Sequence, residues 1–258
     1  MRVQQLFDLT NKTAIITGGG RGLGEQIARA FAEAGANIVL CSRKVEACQS
    51  VCDELEKEGT KTLALPCDVT KEEDVEAVVN QTVETFGRID ILVNNSGATW
   101  GAPAIEMPVE AWKKVIDVNV TGTFLMSKAV GNVMIEQNAG KIINIASVAG
   151  FGGTDPRLMD TIGYNTSKGA IMTFTRDLAV KWGQHQINVN AIAPGFFPTK
   201  ISKAVIEQGK DRILDRTPLH RFGSEDDLKG TAVFLASRAS DFVTGDTVVV
   251  DGGTHAMT

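Results

Sequence analysis

No stretch of this 258-residue chain approaches the roughly 18 consecutive apolar residues that a membrane-spanning helix needs, and Met1 to Asp8 hold no apolar core of the signal-peptide kind. Both absences predict a soluble, cytoplasmic protein with no membrane partner. Dense lysine/arginine clusters are missing as well, and a net charge of −5 gives a nucleic-acid backbone nothing to bind. The three histidines, His185, His220 and His255, are scattered, with no metal-ligand spacing and no nucleophile pattern beside them, so a histidine-based mechanism is not expected. The cysteines, Cys41, Cys48, Cys52 and Cys67, lack the paired short spacing of a zinc site, and without a secretory context they read as reduced structural thiols. No metal is expected.

Tyrosine occurs once, as Tyr164, one helical turn before Lys168 in Tyr164-Asn165-Thr166-Ser167-Lys168. On a helix such a pair shares a face. An unperturbed phenol titrates at about 10, and a neighbouring cation favours the phenolate, the direction useful for acid–base work near neutrality. The same spacing equally describes a half-buried tyrosine beside a solvated lysine. Its meaning depends on the surrounding sequence.

Hydrophobic residues at 43% and charged residues at 22% are ordinary globular values. Lys12 to Thr17 is a short apolar run rich in β-branched residues, followed by glycines and a helical pattern that stops at Gly35. The cycle repeats: strand over 37–42, helix over 45–58, strand over 61–66. Thr70 with Glu73 reads as a capping box opening a helix that ends at Gly87. Strand 89–94, a long helix over about 109–137, strand 141–146, helix 164–183 and strand 187–193 follow. Ser224, with Asp227 at the third position, caps a last helix before strand 247–250. Apolar strands alternating with amphipathic helices predict an α/β fold: one domain over 1–258, a Rossmann-type doubly wound parallel sheet with helices on both faces. Three irregular stretches, 98–108, 149–163 and 196–223, follow strands and should line the ligand crevice.

Directly after the first strand comes Thr17-Gly18-Gly19-Gly20-Arg21-Gly22-Leu23-Gly24. Gly18 suits a tight turn, Gly22 a close backbone approach to a pyrophosphate, and Gly24 close packing of helix on strand. A strand-2 carboxylate would hold an NAD ribose; here the chain has Cys41-Ser42-Arg43 instead. The Arg43 guanidinium and the Ser42 hydroxyl suit a ribose 2′-phosphate, and Arg21 adds a second cation, so NADP(H) is the expected cofactor.

With the glycine turn and the Tyr164/Lys168 pair both in place, the chain resembles the short-chain dehydrogenase/reductase family in its NADP-preferring branch. The resemblance covers almost the whole chain. It includes Asn94-Asn95-Ser96-Gly97, Asn119 in Val118-Asn119-Val120-Thr121-Gly122, Ser147, Pro194-Gly195 with Thr199, and Asp251-Gly252-Gly253. The resemblance implies Tyr164 as the catalytic acid in carbonyl reduction and base in alcohol oxidation. It implies Lys168 as the cation that lowers the tyrosine pKa and binds the nicotinamide ribose, Ser147 as the group that orients the carbonyl, and Asn119 as holder of a proton-relay water. Cofactor contacts implied in the same way are Gly18, Gly20, Arg21, Gly22, Leu23 and Gly24 at the turn, Ser42 and Arg43 after strand 2, and Asp68 and Val69 at the adenine. Asn95 and Gly97 fall on the ribose side, Ile192, Pro194 and Gly195 near the nicotinamide, and Thr199 on its carboxamide, with Asn94 bracing strands. Ser96 replaces the family's usual alanine, and the long separation of Ser147 from Tyr164 implies an insertion within 152–162.

Trp100, Ala102, Val148, Phe151, Phe196 and Phe197, with Ser147, offer a largely apolar substrate lining. That lining suits a carbonyl on an aliphatic or aryl group, and the general pattern is similar to 3-oxoacyl carrier-protein reductases. Leu6-Phe7-Asp8-Leu9 and Thr217 to Gly223 look like the gluconate 5-dehydrogenase branch, for which Lys200, Lys203 and Arg157 would meet an anionic substrate. A cofactor-binding scaffold without catalysis is the alternative of another class, although it has no need of Asn119, Ser147, Tyr164 and Lys168 together. The resemblance further implies a homotetramer.

Overall fold

Strands that are apolar at every position can be buried only if both faces of their sheet are covered, and the chain achieves this by crossing over with a helix after nearly every strand. The computed structural model describes residues 1–200 and 202–257. A short α1 (Val3–Leu6) leads into β1 (Thr13–Thr17), α2 (Gly22–Glu33), β2 (Asn37–Ser42), α3 (Val45–Lys57), β3 (Thr62–Pro66), α4 (Glu72–Phe86) and β4 (Ile91–Asn94). The chain continues through α5 (Val109–Ile116), α6 (Gly122–Gln137), β5 (Gly140–Ile145), α7 (Ile162–Trp182), β6 (Ile187–Pro194), α8 (Lys203–Asp215), α9 (Lys229–Ala236) and β7 (Thr247–Val250).

The strands form one seven-stranded sheet in the order β3-β2-β1-β4-β5-β6-β7. Every pairing is parallel, with Ile15 of β1 registered on Val39 of β2 and on Leu92 of β4. Strand order reverses between β1 and β4, which opens a crevice at their carboxyl ends. Alternate residues feed two cores. Ile16, Ile38, Leu40, Val93 and Ile143 pack with Ile27, Phe31, Cys48 and Leu235 on one face. Ile15, Val39, Leu92, Ile142 and Val189 pack with Val78, Met126, Val130 and Leu178 on the other.

Four features differ from the sequence expectation. The helix expected over 109–137 contains a π-helical turn, Asp117–Thr121, between α5 and α6. The Thr70/Glu73 capping box does not form: α4 begins at Glu72, and the Thr70 hydroxyl donates to the charged Asp68 Oδ1 at 2.8 Å, a stronger acceptor. Asp74, not Glu73, reaches back, accepting Asp68 N at 2.8 Å. Ser224 does not cap the last helix: its N–H and hydroxyl both donate to Asp227 Oδ2 at 2.7 Å, and α9 starts only at Lys229 with Leu228 at its N-cap. The stretch 196–223 is not irregular throughout, because it contains α8. Of α8 only Ile213 is buried and Gly209 leaves helical geometry within it, so the helix has almost no apolar stripe by which to be read.

Candidate active site

At the end of β1 the chain must turn sharply without filling the crevice. Gly18 does so at φ +67, its N–H donating to Cys41 O of β2 at 2.7 Å. Gly22, at φ +58, is the first residue of α2, and Arg21 before it is extended and exposed. A Cβ on Gly20 would lie 2.8 Å from Cys48 N, and one on Gly24 would lie 2.7 Å from Gly18 O. Side chains are therefore excluded along the turn, which leaves a bare backbone cradle at a helix N-terminus. Leu23 is partly buried against the first core cluster.

Asn95 closes the other side of the cradle. Its Nδ2 donates to Thr17 O at 2.9 Å and to Gly18 O at 3.2 Å, while Thr17 Oγ1 accepts Asn95 N at 3.0 Å and Ser96 N at 2.9 Å. Asn94, one residue earlier, braces the sheet through Ser127 Oγ at 3.0 Å and Asn144 Oδ1 at 2.9 Å. Beyond β2, Ser42 Oγ donates to Lys44 O at 2.9 Å, and Arg43 is exposed. Neither Arg43 nor Arg21 makes a salt bridge among the described residues. Burial acts to raise the Asp68 carboxyl, but the Thr70 hydroxyl and N–H, with the charges of Arg43 and Lys71, hold it below its ordinary value. Val69 packs against Gly122, where no side chain fits.

The second half of the site lies beyond β5. Ser147 follows the strand and caps the 3-10 turn Val148–Gly150, its Oγ accepting Ala149 N at 3.2 Å. That turn packs on α7 so tightly that a Cβ on Gly150 would lie 2.7 Å from Gly169 N. Tyr164 and Lys168 occupy successive turns at the start of α7, and the Ser147 hydroxyl lies near enough to the Tyr164 phenol to favour its ionised form. Lys168 Nζ lies 5.6 Å from the tyrosine ring centroid and donates to Ile145 O at 2.6 Å. The lysine is 5% exposed. An ammonium has three donors, and this one has a single hydrogen-bond partner among the described residues. Two protons thus remain for hydroxyls of a bound nucleotide, and together with the glycine cradle and the two unpaired arginines the residues present fit a 2′-phosphorylated dinucleotide.

Burial corrects the expected electrostatics. Desolvation disfavours charge, pushing Lys168 down to about 8. Tyr164 is half-buried as a residue, but its phenol end is enclosed; desolvation there pushes it above its ordinary value, opposed by the Ser147 hydroxyl. The expectation that Lys168 lowers the Tyr164 pKa is not met in this structure, where desolvation outweighs it and the ammonium over the ring is itself desolvated.

Asn119 lies in the π turn, 1% exposed. Its Oδ1 accepts Ala98 N at 2.7 Å, and its Nδ2 donates to Ala98 O at 3.0 Å and Ser167 Oγ at 2.8 Å. Both amide protons are occupied. The main-chain carbonyl accepts Thr123 Oγ1 at 2.7 Å, and Oδ1, which accepts only Ala98 N, keeps a lone pair. Gly97 lies opposite Asn119 Oδ1, with room for a Cβ at 3.7 Å. Pro194 ends β6, Gly195 N donates to Val250 O at 2.9 Å, and Thr199 faces Gly22. Ile192 has its side chain in the core, fully buried.

The expected substrate lining divides. Trp100 is exposed, while Val148 and Phe196 are half-buried at the crevice. Phe197, 4% exposed, packs into the core with its ring on Gly223 and also lines the cavity beside Phe196. Phe151 stacks on His255 with centroids 4.0 Å apart. Arg157 is committed to Asp155, with Nε and Nη2 donating at 2.9 and 2.7 Å, whereas Lys200 is exposed and without a salt bridge among the described residues. The loops interlock, because Asp160 O accepts Ala102 N at 2.9 Å and Leu158 packs on Gly209 of α8. A cavity of about 530 Å³ opens beside Phe196, Leu219, Phe222 and Val249, but none of the catalytic candidates lines it. Sequence reasoning missed Cys48, Ser202 and the Ile145 carbonyl. Ser202 Oγ pins both Thr199 and Phe197; the carbonyl of a strand residue leaves no sequence signal at all.

The sequence profile of the family described as Enoyl-(Acyl carrier protein) reductase matches residues 18–255. The chain is 39% identical over 253 residues to 5-keto-D-gluconate 5-reductase of Escherichia coli strain K12, covering 97% of this chain and 98% of that protein. It is 42% identical over 250 residues to 2-dehydro-3-deoxy-D-gluconate 5-dehydrogenase of Dickeya dadantii, covering 96% of each. A gluconate 5-dehydrogenase from Burkholderia cenocepacia, solved in complex with NADP and tartrate, superposes with a TM-score of 0.94 at 36% identity, covering 99% of each chain. Sequence and architecture coincide over nearly the full length, and the chain belongs to the short-chain dehydrogenase/reductase family.

Proposed function

We propose that this oxidoreductase is an NADP(H)-dependent sugar-acid dehydrogenase of the gluconate 5-dehydrogenase type, interconverting a secondary hydroxyl and a ketone. The observation that carries this reading is the run of gluconate-type relatives at about 40% identity over nearly the whole chain, joined to a site holding Ser147, Tyr164 and Lys168. It narrows the broader expectation of an apolar ketone.

NADP supplies, when bound, the hydride acceptor for alcohol oxidation and, as NADPH, the hydride donor for ketone reduction. Arg43 and Arg21 hold the ribose 2′-phosphate, the Gly18–Gly24 turn the pyrophosphate, and Asp68 and Val69 flank the adenine. Lys168 holds ribose hydroxyls with the two ammonium protons that Ile145 O does not take. In reduction, the Tyr164 hydroxyl gives its proton to the substrate oxygen while Ser147 Oγ stabilises the developing negative charge. In oxidation Tyr164 Oη takes the proton back. Lys200, next to Thr199 at the crevice, faces the substrate carboxylate.

Turnover of 5-keto-D-gluconate with NADPH, and of gluconate with NADP, tests the reading against a 3-oxoacyl thioester and neutral ketones. Preference for the sugar acids, abolished in Tyr164→Phe by about two to four orders of magnitude with NADPH binding retained, is the expected result. Preference for the thioester overturns the substrate assignment. Tight NADPH binding without turnover of any ketone would leave a scaffold.

A further inference from the structure

Ser42 is the hydroxyl placed at the ribose 2′ position, and its hydrogen bonds constrain what it can hold. A hydroxyl has one proton and two acceptor lone pairs. Here the proton goes to Lys44 O at 2.9 Å, while one lone pair takes the Cys48 thiol at 3.3 Å. In this arrangement Ser42 would meet a ligand with a lone pair, which suits a ribose 2′-hydroxyl and opposes a phosphate oxygen. Lys44 O, however, also accepts Ala47 N at 3.2 Å, so it stays satisfied if Ser42 turns its proton away.

Cys48 sits in the first turn of α3, fully buried, and Gly20 of the glycine turn packs against its backbone. The Cys48 S–H donates to Ser42 Oγ. No side chain fits between Gly20 and Cys48, since a Cβ on Gly20 would lie 2.8 Å from Cys48 N.

We propose that Cys48 is a positioning residue of the cofactor site, holding the Ser42 hydroxyl so that its proton is directed at a ribose 2′-phosphate. By occupying the inward lone pair of Ser42, the thiol leaves only two directions for the serine proton, Lys44 O or the ligand. A phosphate dianion, the stronger acceptor, takes it. This inference rests on the placement of the 2′-phosphate at Ser42 and Arg43.

Equilibrium binding of NADPH and NADH to the full chain, followed by nicotinamide fluorescence, separates these roles without a substrate. Cys48→Ala and Cys48→Val are expected to weaken NADPH about three- to tenfold, the loss of one hydrogen bond, and to leave NADH unaltered. Cys48→Ser, which keeps a donor and an acceptor, is expected to restore NADPH binding to within about twofold of wild type. Equal weakening of both nucleotides, or a lowered melting temperature with an unchanged affinity ratio, would overturn the inference and leave Cys48 a packing residue. Should the alanine variant not fold, the valine and serine variants carry the same comparison. Wild type that binds NADH as tightly as NADPH overturns the 2′-phosphate reading together with this one. Loss of selectivity in Arg43→Asp, with none in the Cys48 variants, overturns only the role of Cys48.

Discussion

Tyr164 and Lys168 occupy the positions that their spacing implies, but burial decides their chemistry. A phenol held above its ordinary value is protonated at neutrality and ready to donate, which favours reduction there. Oxidation requires the phenolate, so its initial rate should climb as pH rises from 7 toward 10 while reduction declines over the alkaline part of that range, measurable as paired pH–rate profiles. Lys168 titrates near 8 in the fold and near 10.5 when exposed. Between those values the unfolded chain binds more protons, so the stability of the cofactor-free protein should rise with pH above 8. Above about 10 the raised Tyr164 acts the other way, since the unfolded chain loses the phenol proton first. Lys168→Met removes the buried charge and should flatten the rise between pH 8 and 10, with a gain of a few kcal/mol near pH 7; calorimetric melting across pH tests both. An unchanged pH slope in the variant would mean that Lys168 is solvated after all.

Among the elements, the helix interrupted at Asp117–Thr121 does the most to place the site. A side chain in a π turn is swung out of the ordinary helical register, and Asn119 is thereby brought to the Ala98 backbone, tying the loop after β4 to α7 through Ser167. Asn119→Ala leaves the Ala98 N–H and C=O without partners, and a loss of about 2–3 kcal/mol in urea unfolding is expected. Turnover should fall with it, because the Trp100 loop loses its anchor. Asn119→Asp retains an acceptor for Ala98 N only, so it should not rescue stability. The helix itself is legible in sequence as a single apolar period from Val109 to Gln137; the π turn is not, because it follows from a contact with Ala98 in another element. At Thr70 the same limit applies, since the competing acceptor Asp68 outbids the helix N-terminus only once the chain has turned to bring them together.

On the scale of the whole molecule, the parallel order and the switch point between β1 and β4 bring residues from the ends of six strands to one edge. The helix faces turned away from that sheet carry exposed Val109, Phe124 and Val180, the last 84% exposed. Apolar side chains on successive long helices are suited to burial against a second copy. Multi-angle light scattering is expected to give a homotetramer, and Val180→Lys together with Phe124→Lys to lower the mass; a wild-type monomer would reject the assembly.

The sequence by itself determined what local chemistry dictates. Apolar runs specified parallel strands buried on both faces, the glycines between β1 and α2 specified a turn bare of side chains, and the absence of a carboxylate after β2 left cations for a phosphate. Only the tertiary structure decided the rest. Whether Lys168 lowers Tyr164 and which atoms Cys48 joins depend on how many protein atoms from distant segments crowd each group. Desolvation and hydrogen-bond competition are properties of that assembled surrounding, and residue order along the chain does not contain them.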